Sequence, residues 1–294
     1  ILMAKVTDQF DRIKSPLFAC DFSPPRGADP KLFDRLLPLE ADYLCAAYNP
    51  GMAVRVDSIA AARIASERTG RDVIFNLSTR DMNKISFQSQ LLGAQAMGLD
   101  NVVVLRGDPF GERQRSDNVI SVHDFSTTEA IAAIAQMNLG YDYRGAALQN
   151  RTDICIGAGI DLNRRTSSEA KLTLRKSMAG VHFFITQPVY QIDTYHRFFE
   201  TFFAASGENL SQPIFWGLQV LEPDGIVFGS VPDALVKDLA NGRSGEDIAV
   251  ATGRALLSAG AAGFYVVPPI RRNGSRDYGV ASSVIKQLRA MILD

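Results

Sequence analysis

The sequence predicts an α/β protein folded as a single (β/α)8 TIM barrel, because eight apolar, β-rich runs alternate with eight helical patterns along 294 residues. No linker rich in proline or serine divides this alternation, and no short-period repeat or low-complexity segment interrupts it. We therefore expect one barrel domain over residues 1–294, with a doubly wound sheet as the alternative. No G-x-G-x-x-G motif follows a strand, so a Rossmann cofactor site lacks support.

Each predicted strand is a short apolar run that ends at polar or turn-forming residues, as buried parallel strands do. The predicted strands are residues 17–22, 43–47, 73–77, 102–105, 154–157, 182–186, 214–220 and 263–267. The predicted helices show apolar residues at three- and four-residue spacing, and several begin with Ser, Thr or Asp caps. They are residues 30–37, 56–68, 84–97, 127–137, 167–178, 193–203, 245–259 and 278–291. Helical spacing predicts core packing for the aromatic cluster Tyr195, Phe198, Phe199, Phe202 and Phe203.

Composition and charge are those of an ordinary globular protein with enough chain for a sizeable core, since 46% of residues are hydrophobic and 21% are charged. The net charge of -1, from 31 basic and 32 acidic residues, gives no electrostatic reason to expect nucleic acid or a membrane surface as partner. We therefore expect a small-molecule ligand. The sequence leaves open a homo-oligomer or a partner subunit.

Cysteine and histidine usage predicts neither a disulfide framework nor a metal site. The three cysteines, Cys20, Cys45 and Cys155, lie inside apolar runs without C-x-x-C spacing. The histidines share no ligand spacing, and His182, inside an apolar strand, is expected to be a hydrogen-bonded structural residue. No apolar stretch approaches the ~18 residues that span a bilayer, and the N-terminus lacks a signal-peptide layout. The sequence therefore favours a cytoplasmic location.

The residues that follow each strand are the candidate site, because a barrel places the C-terminal ends of its strands at one mouth. They include Asp21, Tyr48, Asn49, Asn76, Ser78, Arg106, Asp108, Thr186 and Gln187. Asp21 and Asp108 would project from different strands into this mouth, where partial burial would favour one protonated carboxyl that acts as a proton donor. Each group also has a structural alternative. Aspartates at strand ends often serve turns, Arg106 could form an ion pair, and Gln187 could satisfy backbone groups.

Three stretches at these strand ends resemble motifs of the methylenetetrahydrofolate reductase family. The chain has D-F-S-P-P-R from Asp21, L-R-G-D ending at Asp108 and I-T-Q ending at Gln187. The family has a glutamate before F-x-P-P-R, followed along the chain by L-R-G-D and I-T-Q. The segment N-L-S-T-R-D-M-N from Asn76 is similar to the family's H-L-T-C-R-D-R-N. The motifs agree in order and spacing.

The resemblance implies a flavoprotein that passes a hydride from NAD(P)H through FAD to 5,10-methylenetetrahydrofolate, giving 5-methyltetrahydrofolate in one-carbon metabolism. It implies that Asp21 is the general acid that assists opening of the imidazolidine ring. It also implies that Asp108 hydrogen-bonds the pterin and takes part in catalysis, and that Tyr48, Gln187 and Gln219 contact the substrate. The implied cofactor-binding residues are Asn76, Ser78, Arg106, Gly107, Asp108, Glu169, Arg175 and Lys176, of which the last two would lie near the FAD phosphates.

The chain departs from the family pattern at positions that bear on catalysis and flavin binding. Asp21 is one methylene shorter than the expected glutamate, Asn76 replaces a histidine, and Leu172 replaces an asparagine near the cofactor. The family's Y-P-E motif after the fifth strand is missing. These departures leave two alternatives open. One is a flavin-independent enzyme acting on a folate or pterin, and the other is a non-catalytic paralogue that binds a pterin or a partner protein.

Overall fold

Eight parallel strands close into a barrel in which each strand pairs with its sequence neighbours and the last pairs with the first. The computed structural model describes residues 3–13 and 15–293. Residues 1, 2, 14 and 294, which the predicted domain also includes, lie outside the described residues. The strands are β1 (Leu17–Phe22), β2 (Tyr43–Ala46), β3 (Asp72–Ser78), β4 (Asn101–Leu105), β5 (Cys155–Ile160), β6 (Phe183–Pro188), β7 (Ile214–Gln219) and β8 (Gly263–Val267). The predicted (β/α)8 barrel is confirmed.

Helices surround the barrel and connect successive strands. They are α1 (Val6–Arg12), α2 (Ser58–Thr69), α3 (Lys84–Ala96), α4 (Glu112–Ser116), α5 (Thr127–Asn138), α6 (Thr166–Met178), α7 (Ile192–Ser206), α8 (Asp233–Ala240), α9 (Gly245–Ser258) and α10 (Tyr278–Leu293), with 3-10 turns at Pro30–Leu36, Pro50–Met52 and Thr79–Asp81. Every predicted strand and helical segment is present, with ends displaced by at most three residues. The segment predicted as the first helix is a 3-10 helix capped by Asp29.

Three helices are absent from the sequence-based prediction. Helices α4 and α8 bury no side chain, so they lack the buried apolar stripe by which a helix is recognised in a sequence. Helix α1 is only seven residues long, and it covers the N-terminal end of the barrel. Val6 packs inside the barrel, and the ring of Phe10 meets that of Phe215 edge-on with centroids 5.1 Å apart.

Alternation along the strands divides the core into two layers. The inner layer, inside the barrel, contains Val6, Leu17, Ala19, Tyr43, Cys45, Ile74, Val103, Cys155, Phe183, Ile185 and Phe215. The outer layer packs strand residues such as Phe18 and Phe22 against the helices. Because successive strand residues point to opposite faces, Asp21 follows Ala19 on the inner face. Tyr265 packs against the same inner layer from β8.

The packing confirms the sequence prediction for His182 and most of the prediction for the aromatic cluster. His182 is a hydrogen-bonded structural residue, as predicted, because its Nδ1 accepts from the Ile156 amide at 2.9 Å. Tyr195, Phe198 and Phe202 of the aromatic cluster are buried in the core, and Phe199 packs against it. The prediction is wrong for Phe203, which is 53% exposed because one further helical position turns its side chain towards solvent.

The three cysteines are free thiols, and all of them are buried. Burial raises the pKa of Cys20, Cys45 and Cys155 above the ordinary thiol value. These thiols therefore stay protonated near neutral pH, where they act as small apolar groups.

Within residues 3–13 and 15–293, none of the helices combines the length and the apolar character needed to cross a membrane. The same residues contain no group of three or more His, Cys, Asp or Glu side chains placed to hold a metal ion.

The close packing of Gly157 inside the barrel gives a stability prediction. A Cβ at this position would overlap the ring of Phe183, whereas a Cβ at Gly159, on the same face of β5, would meet nothing nearer than 3.7 Å. Gly157→Ala should therefore lower the free energy of unfolding by about 1–3 kcal/mol through overpacking. Gly159→Ala should be neutral or slightly stabilising. Urea unfolding followed by circular dichroism measures both variants, and equal losses would contradict the described packing.

Candidate active site

A cavity of about 1240 Å³ opens at the C-terminal ends of the strands, the end of the barrel at which the sequence predicts the site. Its volume exceeds the roughly 300–1,000 Å³ typical of a pocket for one small ligand. Of the twelve residues to which the family resemblance gives a role, ten line it: Tyr48, Asn76, Ser78, Arg106, Gly107, Asp108, Glu169, Arg175, Lys176 and Gln187. Asp21 and Gln219 do not.

Gln219 is buried and fully engaged with the chain that follows β7. Its Nε2 donates to the Ile226 carbonyl at 2.8 Å, and its Oε1 accepts from the Phe228 amide at 2.7 Å and the Tyr190 hydroxyl at 3.1 Å. Gln219 is buried, paired at both ends of its amide and outside the cavity wall, so it is not placed to contact a ligand there. It instead fixes the segment that brings Phe228 to the cavity wall.

Asp21 is enclosed by residues of β8 and of the segment that follows it. Its Oδ1 accepts from the Tyr265 hydroxyl at 2.8 Å, and its Oδ2 accepts from Arg276 Nε at 3.0 Å and Nη2 at 2.6 Å. The side chains of Asp21 and Arg276 are only 4% and 5% exposed. Burial alone lowers the pKa of Arg276, but the Asp21 carboxylate and nearby tyrosines outweigh it and raise the pKa. The structure therefore places Asp108 at the cavity and Asp21 in a buried ion pair, instead of bringing both carboxylates into the mouth.

Arg80 organises the turn that presents Asp108, a role that the sequence reasoning missed. Its guanidinium makes a two-point contact with Asp81, from Nε to Oδ1 at 2.6 Å and from Nη2 to Oδ2 at 2.8 Å, and its Nη1 donates to the Asp108 carbonyl at 3.0 Å. The hydrogen bonds to Asp81 raise the pKa of Arg80. Gly107 lies against it with a φ of +82°, and a Cβ there would collide with Ser78 Oγ. The adjacent R-D pair after the third strand is the sequence signal for this arrangement.

Glu169 and Lys176 form a buried pair on α6 at the cavity wall. Their side chains are 2% and 6% exposed, and Lys176 Nζ lies 3.6 Å from Glu169 Oε1 and donates to the Gly159 carbonyl at 2.5 Å. Burial lowers the pKa of Lys176, and Glu169 only partly counteracts this. Glu169 Oε1 also accepts from the Asp161 amide at 3.1 Å. In the described part of the chain, Glu169 Oε2 has no hydrogen-bond partner, although Arg164 Nη1 lies 4.0 Å away.

Among the exposed polar residues that line the cavity, four have side chains that are not engaged by the described part of the protein: Arg106, Asp108, Arg175 and Gln187. Among the residues that the structure describes, none of these side chains is paired in a salt bridge or hydrogen bond. Their charges and amide groups are therefore available to a ligand, in contrast to those of Arg80, Lys176 and Gln219.

Another part of the cavity wall contains Cys45, Tyr48, Asn76 and Tyr265. Cys45 Sγ donates a weak hydrogen bond to Asn76 Oδ1 at 3.7 Å. Burial, and then the charge of Asp81, raises the pKa of Tyr48 above the ordinary phenol value. These groups therefore stay neutral at physiological pH, so the charge in the cavity comes from other residues of its wall.

This arrangement defines the class of protein: a (β/α)8 barrel whose ligand cavity is built from the strand ends of one chain. A family model described as Methylenetetrahydrofolate reductase matches residues 5–223. The chain therefore belongs to the methylenetetrahydrofolate reductase family, which confirms the resemblance of its motifs.

A solved structure with a similar fold is that of an uncharacterized protein from Clostridium thermocellum, described as binding two copies of 5-methyl-5,6,7,8-tetrahydrofolic acid. The two chains are 14% identical, and the match covers 97% of this chain and 99% of the other, with a TM-score of 0.66. At this identity the likeness shows the fold.

The buried position of Lys176 gives a prediction about its titration. Because burial disfavours the ammonium form, the Lys176 amine should titrate below the ordinary lysine pKa of 10.5. Glu169→Gln should lower the pKa of Lys176 further, because it removes the carboxylate that stabilises the ammonium. The folded state then binds this proton less tightly than the unfolded chain. The contribution of Lys176 to the free energy of unfolding therefore rises with pH up to the ordinary lysine pKa.

Carbon-13 NMR of lysine-labelled protein measures this titration, with Lys176→Met to assign the signal. A Lys176 pKa at or above the ordinary value, or one unaffected by Glu169→Gln, would contradict the described environment.

Proposed function

We propose that the chain is an oxidoreductase of the methylenetetrahydrofolate reductase type that acts on a folate bound in the barrel mouth. In the proposed reaction a hydride passes from NAD(P)H through FAD to the methylene carbon of 5,10-methylenetetrahydrofolate, and a proton from solvent goes to the nitrogen released when the imidazolidine ring opens, giving 5-methyltetrahydrofolate for one-carbon metabolism. The observation that carries the proposal is the large cavity, whose wall holds the unpaired polar groups of Asp108 and Gln187. Three free thiols are compatible with a reducing compartment, and we include the cytoplasm in the proposal.

Asp108 and Gln187 are the groups proposed to orient the folate. A pterin ring offers an amide N–H and an exocyclic amino group, and the exposed carboxylate of Asp108 has two oxygens that accept from such donors. The Gln187 amide can donate and accept, so it suits the mixed edge of the same heterocycle. The description of the Clostridium thermocellum protein as a binder of methyltetrahydrofolate supports a folate ligand for this fold. The cavity volume leaves room for a second ring system beside the pterin of the proposed folate.

Residues on α6 fit the adenosine and phosphate parts of FAD. The buried Glu169 Oε2, which lacks a donor within the described residues, suits a ribose hydroxyl. The exposed guanidinium of Arg175 suits a phosphate, and Arg106 adds a second positive charge to the cavity wall. When bound, FAD would supply the two-electron chemistry, by taking up a hydride from the nicotinamide and giving it to the folate.

The proton that opens the imidazolidine ring is not assigned to Asp21 in this proposal. Both oxygens of the Asp21 carboxylate accept hydrogen bonds, one from Tyr265 and the other from Arg276, and the ion pair with Arg276 is buried. A carboxylate paired with a guanidinium has no proton to give, and Asp21 is not part of the cavity wall. We propose a positioning role for Asp21, and direct contact with the substrate for Asp108 and Gln187.

A flavin-independent folate enzyme is the second candidate. It is favoured by the hydrogen bond and ion pair that already engage the Lys176 amine. Lys176 is expected near the FAD phosphates from the family resemblance, but its amine is engaged by the Gly159 carbonyl and lies next to Glu169. Leu172 adds apolar surface to the same wall. In this candidate the reduced nicotinamide would bind in the cavity and give its hydride directly to the folate.

An absorbance spectrum separates the two candidates. Protein purified under native conditions is mixed with FAD, freed of the excess and examined for flavin bands. NADH should bleach these bands without oxygen present, and methylenetetrahydrofolate should restore them. Folate binding without retained flavin, measured by titration calorimetry, would support the second candidate. A protein that binds neither flavin nor folate would contradict both.

Arg175→Ala tests the proposed phosphate contact. Loss of a charged hydrogen bond is worth about 1.5–3 kcal/mol, so the Kd for FAD should rise about tenfold or more. Lys171→Ala is the matched control, because Lys171 is an exposed residue of the same helix that does not line the cavity. Fluorescence titration of the flavin measures both affinities. An equal effect of the two substitutions would exclude a specific role for Arg175.

A further inference from the structure

The Tyr265 hydroxyl lies between the cavity and the buried ion pair. Tyr265 belongs to the cavity wall, and its hydroxyl donates to Asp21 Oδ1 at 2.8 Å. The other carboxylate oxygen accepts from two nitrogens of Arg276, at 2.6 and 3.0 Å. Arg276 also contacts the Ser23 hydroxyl. The partners of Asp21 are therefore set by the protein and not by a ligand.

This arrangement fixes the direction of the Tyr265 hydrogen bond. A phenol has one proton to donate and lone pairs that accept. An ionised carboxylate only accepts, so the Tyr265 proton must point at Asp21. The Cys45 thiol also contacts the Tyr265 hydroxyl, but its one proton is donated to Asn76. A lone pair of the Tyr265 oxygen therefore remains for a molecule in the cavity. Burial, and then the charge of Asp21, raises the pKa of Tyr265, so the phenol keeps this proton.

The neighbouring groups give this part of the wall a defined polarity. Asn76 Oδ1 accepts from Cys45 Sγ, which leaves the Asn76 amide nitrogen as a donor towards the cavity. A donor at Asn76 and an acceptor at Tyr265 therefore lie on the same wall. A heterocycle with N–H and C=O groups on one edge, as in a pterin or a flavin, has the complementary pattern.

We propose that Tyr265 is a specificity-determining residue that accepts a hydrogen bond from an N–H group of the heterocycle bound in the cavity. Asp21 and Arg276 are positioning residues that hold the Tyr265 proton away from the ligand. This inference rests on the proposed function, since it concerns the ligand of the same cavity. It assigns to Asp21 an effect through Tyr265 in place of direct proton donation.

Tyr265→Phe removes the acceptor and keeps the ring. Its Kd for 5-methyltetrahydrofolate or for FAD, each measured alone by titration calorimetry, should rise by about three- to tenfold. Tyr43→Phe is the matched control. Tyr43 is a tyrosine of the inner layer whose hydroxyl donates to the Lys5 carbonyl at 3.1 Å, next to α1 at the other end of the barrel. Unchanged affinity of the Tyr265→Phe variant for both probes, with binding by the native protein, would overturn this inference and leave the proposed function standing. Failure of the native protein to bind either probe would instead remove the proposed function.

The direction of the hydrogen bond can be tested without a cavity-forming substitution. Replacement of Tyr265 by 3-fluorotyrosine makes the phenol a weaker acceptor and a stronger donor. The inference predicts weaker binding of the affected probe, and tighter binding would overturn it.

A double-substitution cycle tests whether Asp21 acts through Tyr265. Asp21→Asn should weaken binding in the native background by a factor similar to that of Tyr265→Phe, and should add nothing in the Tyr265→Phe background. Additive losses would mean that Asp21 reaches the ligand independently and would overturn the positioning role. If Asp21→Asn fails to fold, the fluorotyrosine experiment still decides the inference.

Discussion

The buried ion pair between Asp21 and Arg276 connects the two strands at which the barrel closes. Asp21 lies near the C-terminal end of β1, and Arg276 lies in the segment after β8, the strand that pairs with β1 through Leu17 and Gly263. Removing two charges from water is costly, and the cost is offset only when the remaining hydrogen-bonding positions are filled. Here Tyr265 and Ser23 fill them. The contact between β1 and the segment after β8 and the polarity of the Tyr265 hydroxyl therefore depend on the same ion pair.

The mouth combines polar groups that are fixed by the protein with groups that are free. Arg80 is held by Asp81 and in turn supports the turn before Asp108, so the Asp108 carboxylate projects from a rigid base. Lys176 is likewise held, by the Gly159 carbonyl. The free groups line the cavity, as expected for a cavity that orients a ligand through a few polar contacts on a packed wall. This separation supports the proposal that the cavity orients a small-molecule ligand.

The sequence predicts the barrel well, because its strands are apolar runs with clear ends and its long helices bury one face. It does not predict α8, whose residues are all at least partly exposed. For the site, most of the residues that strand ends and motifs identify lie at the cavity. These strand ends and motifs do not predict that the Gln219 amide is hydrogen-bonded to backbone groups of the segment after β7. They also miss the partner of Asp21, since Arg276 lies 255 residues away in the chain and no local pattern links the two.

A measurement of the ionisation state of Asp21 is the most direct test of its proposed positioning role. Infrared difference spectroscopy of carbon-13 aspartate-labelled protein, with Asp21→Asn to assign the bands, reports whether the group is a carboxylate or a protonated acid. The Asp21–Arg276 ion pair predicts that Asp21→Asn removes a carboxylate band at neutral pH, and that the unsubstituted protein keeps this band when folate is bound. A band of a protonated carboxyl at position 21, in the free or the folate-bound protein, would contradict the account and restore Asp21 as a proton donor.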